Sequence, residues 1–386
     1  MALAKRITKN GIWLLSDYGK QVRRITQIGA LGCSIVCAEI AAASDDGWRL
    51  YTEVESFSYS NAAPIYQIAH DLKGDPVARG DVAYTHDHIE IGAEYRNLSL
   101  SIVERYDYHL EFSPDAAELI YLYNNDLPHE SDAHYDLYLA ANQMRAKGVK
   151  LGYRFALTEA FNVKLAFSYL RADELTEGYL RGYLDTPDAS PTGELELDYA
   201  YTEDHLLDRP PENVSGDGFA VDLYLHWRPH PQWEARLALE DAVNRIYWDR
   251  ATATVARATS DTIDYDEDGA LDVSPALSGN EGYRDHVQAL PLRGFLWSEY
   301  HLNDAVSLGA GWRRYDKTDL GLVGADYRFN DRLTLGGRYY CNADALNLNL
   351  QIYDLYLGVT MDRLQWKQAK TLGLSLWWSY RFGGAR

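Results

Sequence analysis

The segment "TLGLSLWWSYRF", Thr371 to Phe382, carries Leu372, Leu374, Leu376, Trp378, Tyr380 and Phe382 at every second position. Gly373, Ser375, Ser379 and Arg381 occupy places between them. A period of two belongs to a strand with two unlike faces, because successive side chains point to opposite sides. What covers the apolar face, a protein core or a lipid bilayer, decides the fold.

The same alternation recurs along the chain. In "VKLGYRFAL", Val149, Leu151, Tyr153, Phe155 and Leu157 alternate with Lys150, Gly152, Arg154 and Ala156. "FNVKLAFSY" sets Phe161, Val163, Leu165, Phe167 and Tyr169 against Asn162, Lys164, Ala166 and Ser168. "FAVDLYLHWR" sets Phe219, Val221, Leu223, Leu225 and Trp227 against Asp222, Tyr224, His226 and Arg228. "VSLGAGWRR" and "LTLGGRYY" add Arg313 and Arg338 to the polar side.

Tight turns are expected at "LTEAF" (Leu157 to Phe161), "RPHP" (Arg228 to Pro231), "LND" (Leu302 to Asp304) and "FND" (Phe329 to Asp331), where Asn and Asp tolerate left-handed backbone. Long polar segments at about 59–79, 113–132, 186–216 and 259–284 lie between them. Short turns at one end and long loops at the other are the pattern of an outer-membrane barrel. A soluble sandwich would bury the apolar face as well, but would not account for Arg and Lys inside so many strands.

The first residues differ from the rest. Lys5, Arg6, Lys9, Lys20, Arg23 and Arg24 precede the apolar "ITQIGALGCSIVCAEIAAAS", which ends near Ala41, Ala42 and Ala43. That is the layout of a secretory signal, so residues 1–44 are expected to be a leader and 45–386 the barrel. Neither a lipoprotein box around Cys33 nor twin-arginine export at Arg23-Arg24 fits the flanking residues. Beyond the leader only Cys341 remains, which leaves no intrachain disulfide and no thiolate metal cage. The leader holds six bases and two acids, so the remaining chain moves from a net charge of −20 to −24. That argues against nucleic acid, which needs a basic footprint.

"LSLWWSYRF" resembles the terminal strand of Gram-negative outer-membrane barrels, in which alternating apolar residues end in Phe. The resemblance implies an all-β, antiparallel, up-and-down transmembrane barrel in the outer membrane, reached through the periplasm. It further implies lipid and lipopolysaccharide as surroundings, and recognition of this strand by the barrel-assembly machinery. At about ten residues per strand the chain has room for about 12 to 16 strands, with 14 favoured. The stretch 343–370 could hold one strand or two.

Candidate chemistry is sparse. "DYDEDGALD" places Asp264, Asp266, Asp268 and Asp272 around Gly269, which resembles the start of a Ca²⁺ loop, although Pro275 stands where the bidentate Glu would be. A solvated acidic loop has the same composition. His86, His88 and Glu90 share one strand face and form a weaker metal candidate. Asp204-His205, Asp285-His286 and Ser60-Asn61 lack a nucleophile signature, and adjacent strand residues point apart. No enzyme is expected.

The polar face carries the strongest functional signal. Lys150, Arg154, Lys164, Arg228, Arg236, Arg313, Arg328, Arg338 and Arg381 fall on it, against Glu90, Glu94, Asp222, Glu234, Glu240 and Asp326. An excess of bases inside an acidic chain points to a channel for hydrophilic, preferentially anionic solutes. The alternative is a non-conducting scaffold, assembly or surface-interaction barrel, filled by ion pairs, with an unidentified periplasmic partner.

Overall fold

In a computed structural model, the structure describes residues 47–187, 191–203, 214–260, 263–265, 271–273 and 277–382. The expected leader lies outside the described residues.

Among the described residues, eighteen strands follow one another. The first eight are β1 (Trp48–Ser60), β2 (Val82–Tyr95), β3 (Leu98–Phe112), β4 (His134–Thr158), β5 (Phe161–Asp185), β6 (Thr192–Tyr201), β7 (Gly216–His230) and β8 (Trp233–Thr259). Then come β9 (Ile263–Tyr265), β10 (Leu271–Val273), β11 (Leu277–Gln288), β12 (Arg293–His301), β13 (Val306–Tyr315) and β14 (Thr318–Asn330). The last are β15 (Leu333–Tyr340), β16 (Ala345–Ile352), β17 (Leu355–Met361) and β18 (Thr371–Phe382). Stretch 343–370 therefore holds two strands.

All ladders are antiparallel, and β18 closes on β1 in register from Trp48–Phe382 to Tyr59–Thr371. Fourteen strands make the closed wall. The other strands lie beyond its membrane-facing part. β5 pairs β7 up to Ala172, then β6 from Thr176 onward. β8 makes the same exchange, from β7 to β6, and adds β11 on its far edge. Strands of 25 residues in β4 and β5 and 27 in β8 thus continue above the membrane as a projecting sheet. The segments expected as loops at 186–216 and 259–284 therefore contain β6 and part of β11.

One end of the wall has short connections at Arg96–Asn97, Glu159–Ala160, Pro231–Gln232, Asp331–Arg332 and Tyr353–Asp354, together with the ends Trp48 and Phe382. Such turns mark the periplasmic side. The "RPHP" turn is shifted, because β7 runs through to His230 and the reversal falls on Pro231–Gln232.

The outward positions answer the question posed by Thr371–Phe382. Leu100, Ile102, Leu151, Phe167, Val323 and Leu348 are exposed in a continuous apolar band. Aromatic rings crowd its periplasmic border: Trp48 lies 5.0 Å from Tyr95, Trp227 5.0 Å from Trp233 and Tyr327 4.7 Å from Phe329. Above the band, Glu104 meets Arg145 and Lys147, and Arg171 meets Asp217. An apolar belt between aromatic rings and surface ion pairs is a lipid-facing wall. The chain has the architecture of Gram-negative outer-membrane barrels.

Two extracellular connections fold down the outside of the wall. Helices α1 (Ile65–Ile68) and α2 (Pro114–Asn124) pack with Ala62, Leu72 and Tyr121 over the outward residues Tyr106, Tyr108 and Leu110. Ser113 caps α2 by accepting the Ala116 N–H at 3.1 Å. This lobe leaves the inward face free to be filled by the wall's own side chains.

Candidate functional site

The inward face of the wall is the candidate site. Because β1, β2, β3 and β4 run in register, their inward residues form levels, described here from the periplasm outward.

At the periplasmic end lies a vestibule of about 730 Å³. Arg228, Arg236, Arg328 and Arg338 line it, facing Glu234, Glu299, Asp326 and Asp331. Arg236 is 2.5 Å from Glu234, which also meets His226 at 3.3 Å. Bases and acids are thus matched in this chamber.

The next level closes around Glu94, which gathers Arg49, Arg154 (3.5 Å) and Lys164 (3.4 Å). Above it, Glu90 accepts hydrogen bonds from Tyr51 (2.6 Å) and Ser101 (2.7 Å) and lies 3.3 Å from Lys150. Lys150 also reaches Asp222 at 2.9 Å and donates to the Tyr224 hydroxyl at 3.0 Å. Gly92 makes this level compact, since a Cβ there would stand 2.6 Å from the Tyr51 ring. The remaining cavity is about 40 Å³, lined by Tyr51, Glu53, Glu90 and Lys150. That is room for a few waters.

A third level crosses the lumen. Arg105 binds both carboxylate oxygens of Asp241 at 2.7 Å and Asp107 at 2.9 Å. Arg293 adds Asp241 (3.1 Å), Glu240 (3.2 Å) and the His86 ring. Asp241 reaches this position through a bulge in β8, where its φ is 58°. Its backbone N–H is taken by Asp222 at 2.9 Å.

The extracellular half is apolar and aromatic. On one side, Phe57, Tyr84, Trp297, Tyr315 and Tyr340 fill the interior; Tyr84 and Tyr315 stack at 4.3 Å with planes 3° apart. Trp297 fits because Gly309 and Gly311 offer no Cβ, which at Gly309 would lie 2.1 Å from the indole. Arg313 pairs with Glu55 at 2.6 Å and lies 4.0 Å over the Phe57 ring, a cation–π contact. On the other side, Met144, Leu170, Ile246, Trp248 and Leu290 form a second buried cluster. Between Gln288 and Arg293, where no strand edge pairs β8, the Asn244 amide exchanges hydrogen bonds with the Leu290 backbone.

The inward bases read from sequence therefore lie where alternation places them, but their surroundings differ from expectation. Lys150, Arg154, Lys164, Arg236 and Arg313 each face carboxylates. Arg338 stands 4.6 Å over Trp297, and Arg381 is exposed at the periplasmic end beside its cross-strand partner Arg49. Sequence reasoning missed Arg49, Glu53, Glu55, Arg105, Asp107, Asp241 and Arg293. The alternation in "WRLYTEVESF" and "SLSIVERYDYH" already carries five of them; Asp241 sits in a bulge, where alternation fails.

The other candidates are also placed. His86 is taken by Asp107 (3.0 Å) and Arg293, and His88 by Glu90 (3.2 Å), so these rings are held in contacts within the wall. Asp264 and Asp272 are cross-strand partners in the β9–β10 hairpin, while Asp266 and Asp268 lie outside the described residues. Asp204-His205 lies outside them too. Asp285 accepts the Arg250 N–H, His286 meets Glu177 at 2.5 Å, and Ser60 and Asn61 hold a connection together. None of these described residues pairs a nucleophile with a base.

No protein-family profile matches the chain, and no curated protein matches its sequence. Solved structures of similar outline include a mutant of the TodX monoaromatic hydrocarbon channel, at 9% identity and TM-score 0.45, covering 92% of this chain and 96% of that one. The toluene transporter TbuX of Ralstonia pickettii follows at 9% identity and TM-score 0.32, covering 88% and 90%. The translocator domain of the autotransporter NalP from Neisseria meningitidis stands at 11% and 0.31, covering 94% and 95%.

The expectation of an anion-preferring hydrophilic channel is corrected. Within the chain itself, the inward bases are matched by carboxylates and the path is filled above the vestibule. The apparent excess of bases narrows once the missed groups are counted, because Glu53, Glu55, Asp107, Asp241 and Glu299 outnumber the missed bases Arg49, Arg105 and Arg293.

Proposed function

We propose that the chain is an outer-membrane transport barrel that rests closed, with its ion-paired levels as the gate and the vestibule as the periplasmic mouth. The observation that carries this reading is the Arg105–Asp241–Arg293 cluster spanning the lumen. Buried ion pairs add little net stability over apolar packing, because desolvation offsets their attraction. Water entering such a level restores hydration as the pairs part. A charged seam can therefore open at lower cost than an apolar core of the same area.

Export through the periplasm by the leader, and insertion through recognition of Thr371–Phe382 by the assembly machinery, belong to the same proposal. So does Ca²⁺ at the hairpin that pairs Asp264 with Asp272.

The test is conductance of the refolded barrel in a planar bilayer. Wild type is expected to be closed, and Arg105→Ala or Arg293→Ala to show discrete openings. A steadily open wild type would overturn the closed resting state. Silence in every variant would remove transport and leave a scaffold.

A further inference from the structure

Among the described residues, one group of three side chains brings metal-ligand atoms within 4.8 Å of one another: His109, Glu111 and Asp316. His109 and Glu111 lie two apart on the inward face of β3, at the extracellular mouth. Asp316 comes from the β13–β14 turn, which leans across the opening until Tyr315 lies 5.6 Å from the His109 ring. The three ligands thus come from opposite walls.

We propose that these residues form a divalent transition-metal site that staples the mouth of the barrel, with Zn²⁺ as the best fit. One imidazole and two carboxylates match the donor preference of zinc, and leave a position for water. Ligand atoms around a tetrahedral zinc stand about 3.3 Å apart, so the three must draw in by about an ångström or so. Asp316 is half-buried with its backbone tied to Leu292 and Arg314, so that movement falls to the carboxylate side chains.

Two observations separate this group from an ordinary acidic cluster. His109 is only 7% exposed, with a ring nitrogen within 4.8 Å of both carboxylates and, among the described residues, no side-chain hydrogen bond of its own. The other is that a cation already stands there. Lys317 Nζ lies 2.7 Å from Glu111 and 4.0 Å from Asp316, on a side chain that is 75% exposed. The ammonium balances the carboxylates without meeting the imidazole, and a metal ion would displace it into solvent at little cost.

The experiment is calorimetric titration of the full-length barrel, refolded in detergent micelles, with Zn²⁺. One ion per chain is expected. His109→Ala and Asp316→Asn should each weaken binding at least about tenfold, while Lys317→Ala should tighten it a few-fold. Asp316→Asn keeps a residue that tolerates the left-handed turn, so its loss of binding cannot be a folding defect. Absorption of the Co²⁺ form should show a low-coordinate ligand field that vanishes in His109→Ala. No saturable binding, or binding that all three variants retain unchanged, would overturn the proposal.

Discussion

Arg105 on β3 grips both carboxylate oxygens of Asp241 on β8, each at 2.7 Å, although β4, β5 and β7 stand between the two strands in the wall. Both side chains are buried, and Asp241 is shared with Arg293. The pair ties two separate parts of the wall together inside the barrel.

Removing Arg105 leaves two buried carboxylates short of a cation, Asp241 with Arg293 as its remaining base and Asp107 with the His86 ring. Arg105→Ala should lower stability by about 3–5 kcal/mol, read from urea unfolding in micelles. The Arg105→Ala/Asp241→Ala double variant should recover part of this loss, because one buried carboxylate is removed with the guanidinium that balanced it. A double variant as unstable as the sum of the two singles would show that the residues do not interact.

Trp297 occupies space that Gly309 leaves open. Gly309→Val would place side-chain atoms inside the indole, and should cost about 1–3 kcal/mol through overpacking. Thermal unfolding followed by tryptophan fluorescence measures it. An unchanged midpoint would mean that the interior on this side is loosely filled.

The lipid face is tested at Ile102, which is 61% exposed within the apolar band. Ile102→Arg should cost about 2–4 kcal/mol if the position lies near the bilayer midplane. Refolding yield into lipid vesicles and the unfolding midpoint report it. A neutral effect would place the hydrocarbon elsewhere on the wall.

His134 stands on the projecting part of β4, with Nδ1 2.6 Å from Asp185 and Nε2 3.2 Å from Asp136. The hydrogen bond to Asp185, then that to Asp136, raises its pKa above the ordinary 6.5. A raised folded-state pKa means that the charged imidazolium is favoured in the native sheet. Its contribution is complete below about 6.5 and fades as pH rises through the folded value. Histidine NMR in micelles should find this ring titrating above the ordinary value, and His134→Gln should lower the local opening energy at acidic pH only. Equal effects at acidic and alkaline pH would contradict the linkage.

Strand parity is a local property, so the amino-acid sequence alone determined the two-faced wall. It placed Leu372, Leu374 and Leu376 on the outer face and Lys150, Arg154 and Arg313 toward the lumen. Closure on β1 could also be anticipated, since an aromatic strand such as Thr371–Phe382 must find a partner edge. What those inward charges meet is not local. Arg105 and Asp241 are 136 positions apart, and their contact depends on how closely β3 and β8 approach and on a β8 bulge that breaks parity. Whether the lumen is a pore or a packed interior likewise follows from side-chain volume against barrel width, as with Trp297 over Gly309 and Tyr84 against Tyr315. The outward fold of α1 and α2 over Tyr108 and Leu110 was equally invisible, because apolar residues on the outer face read as lipid contacts until another segment covers them. Pattern gives the direction in which a side chain points, and only the closed wall fixes what lies at the end of it.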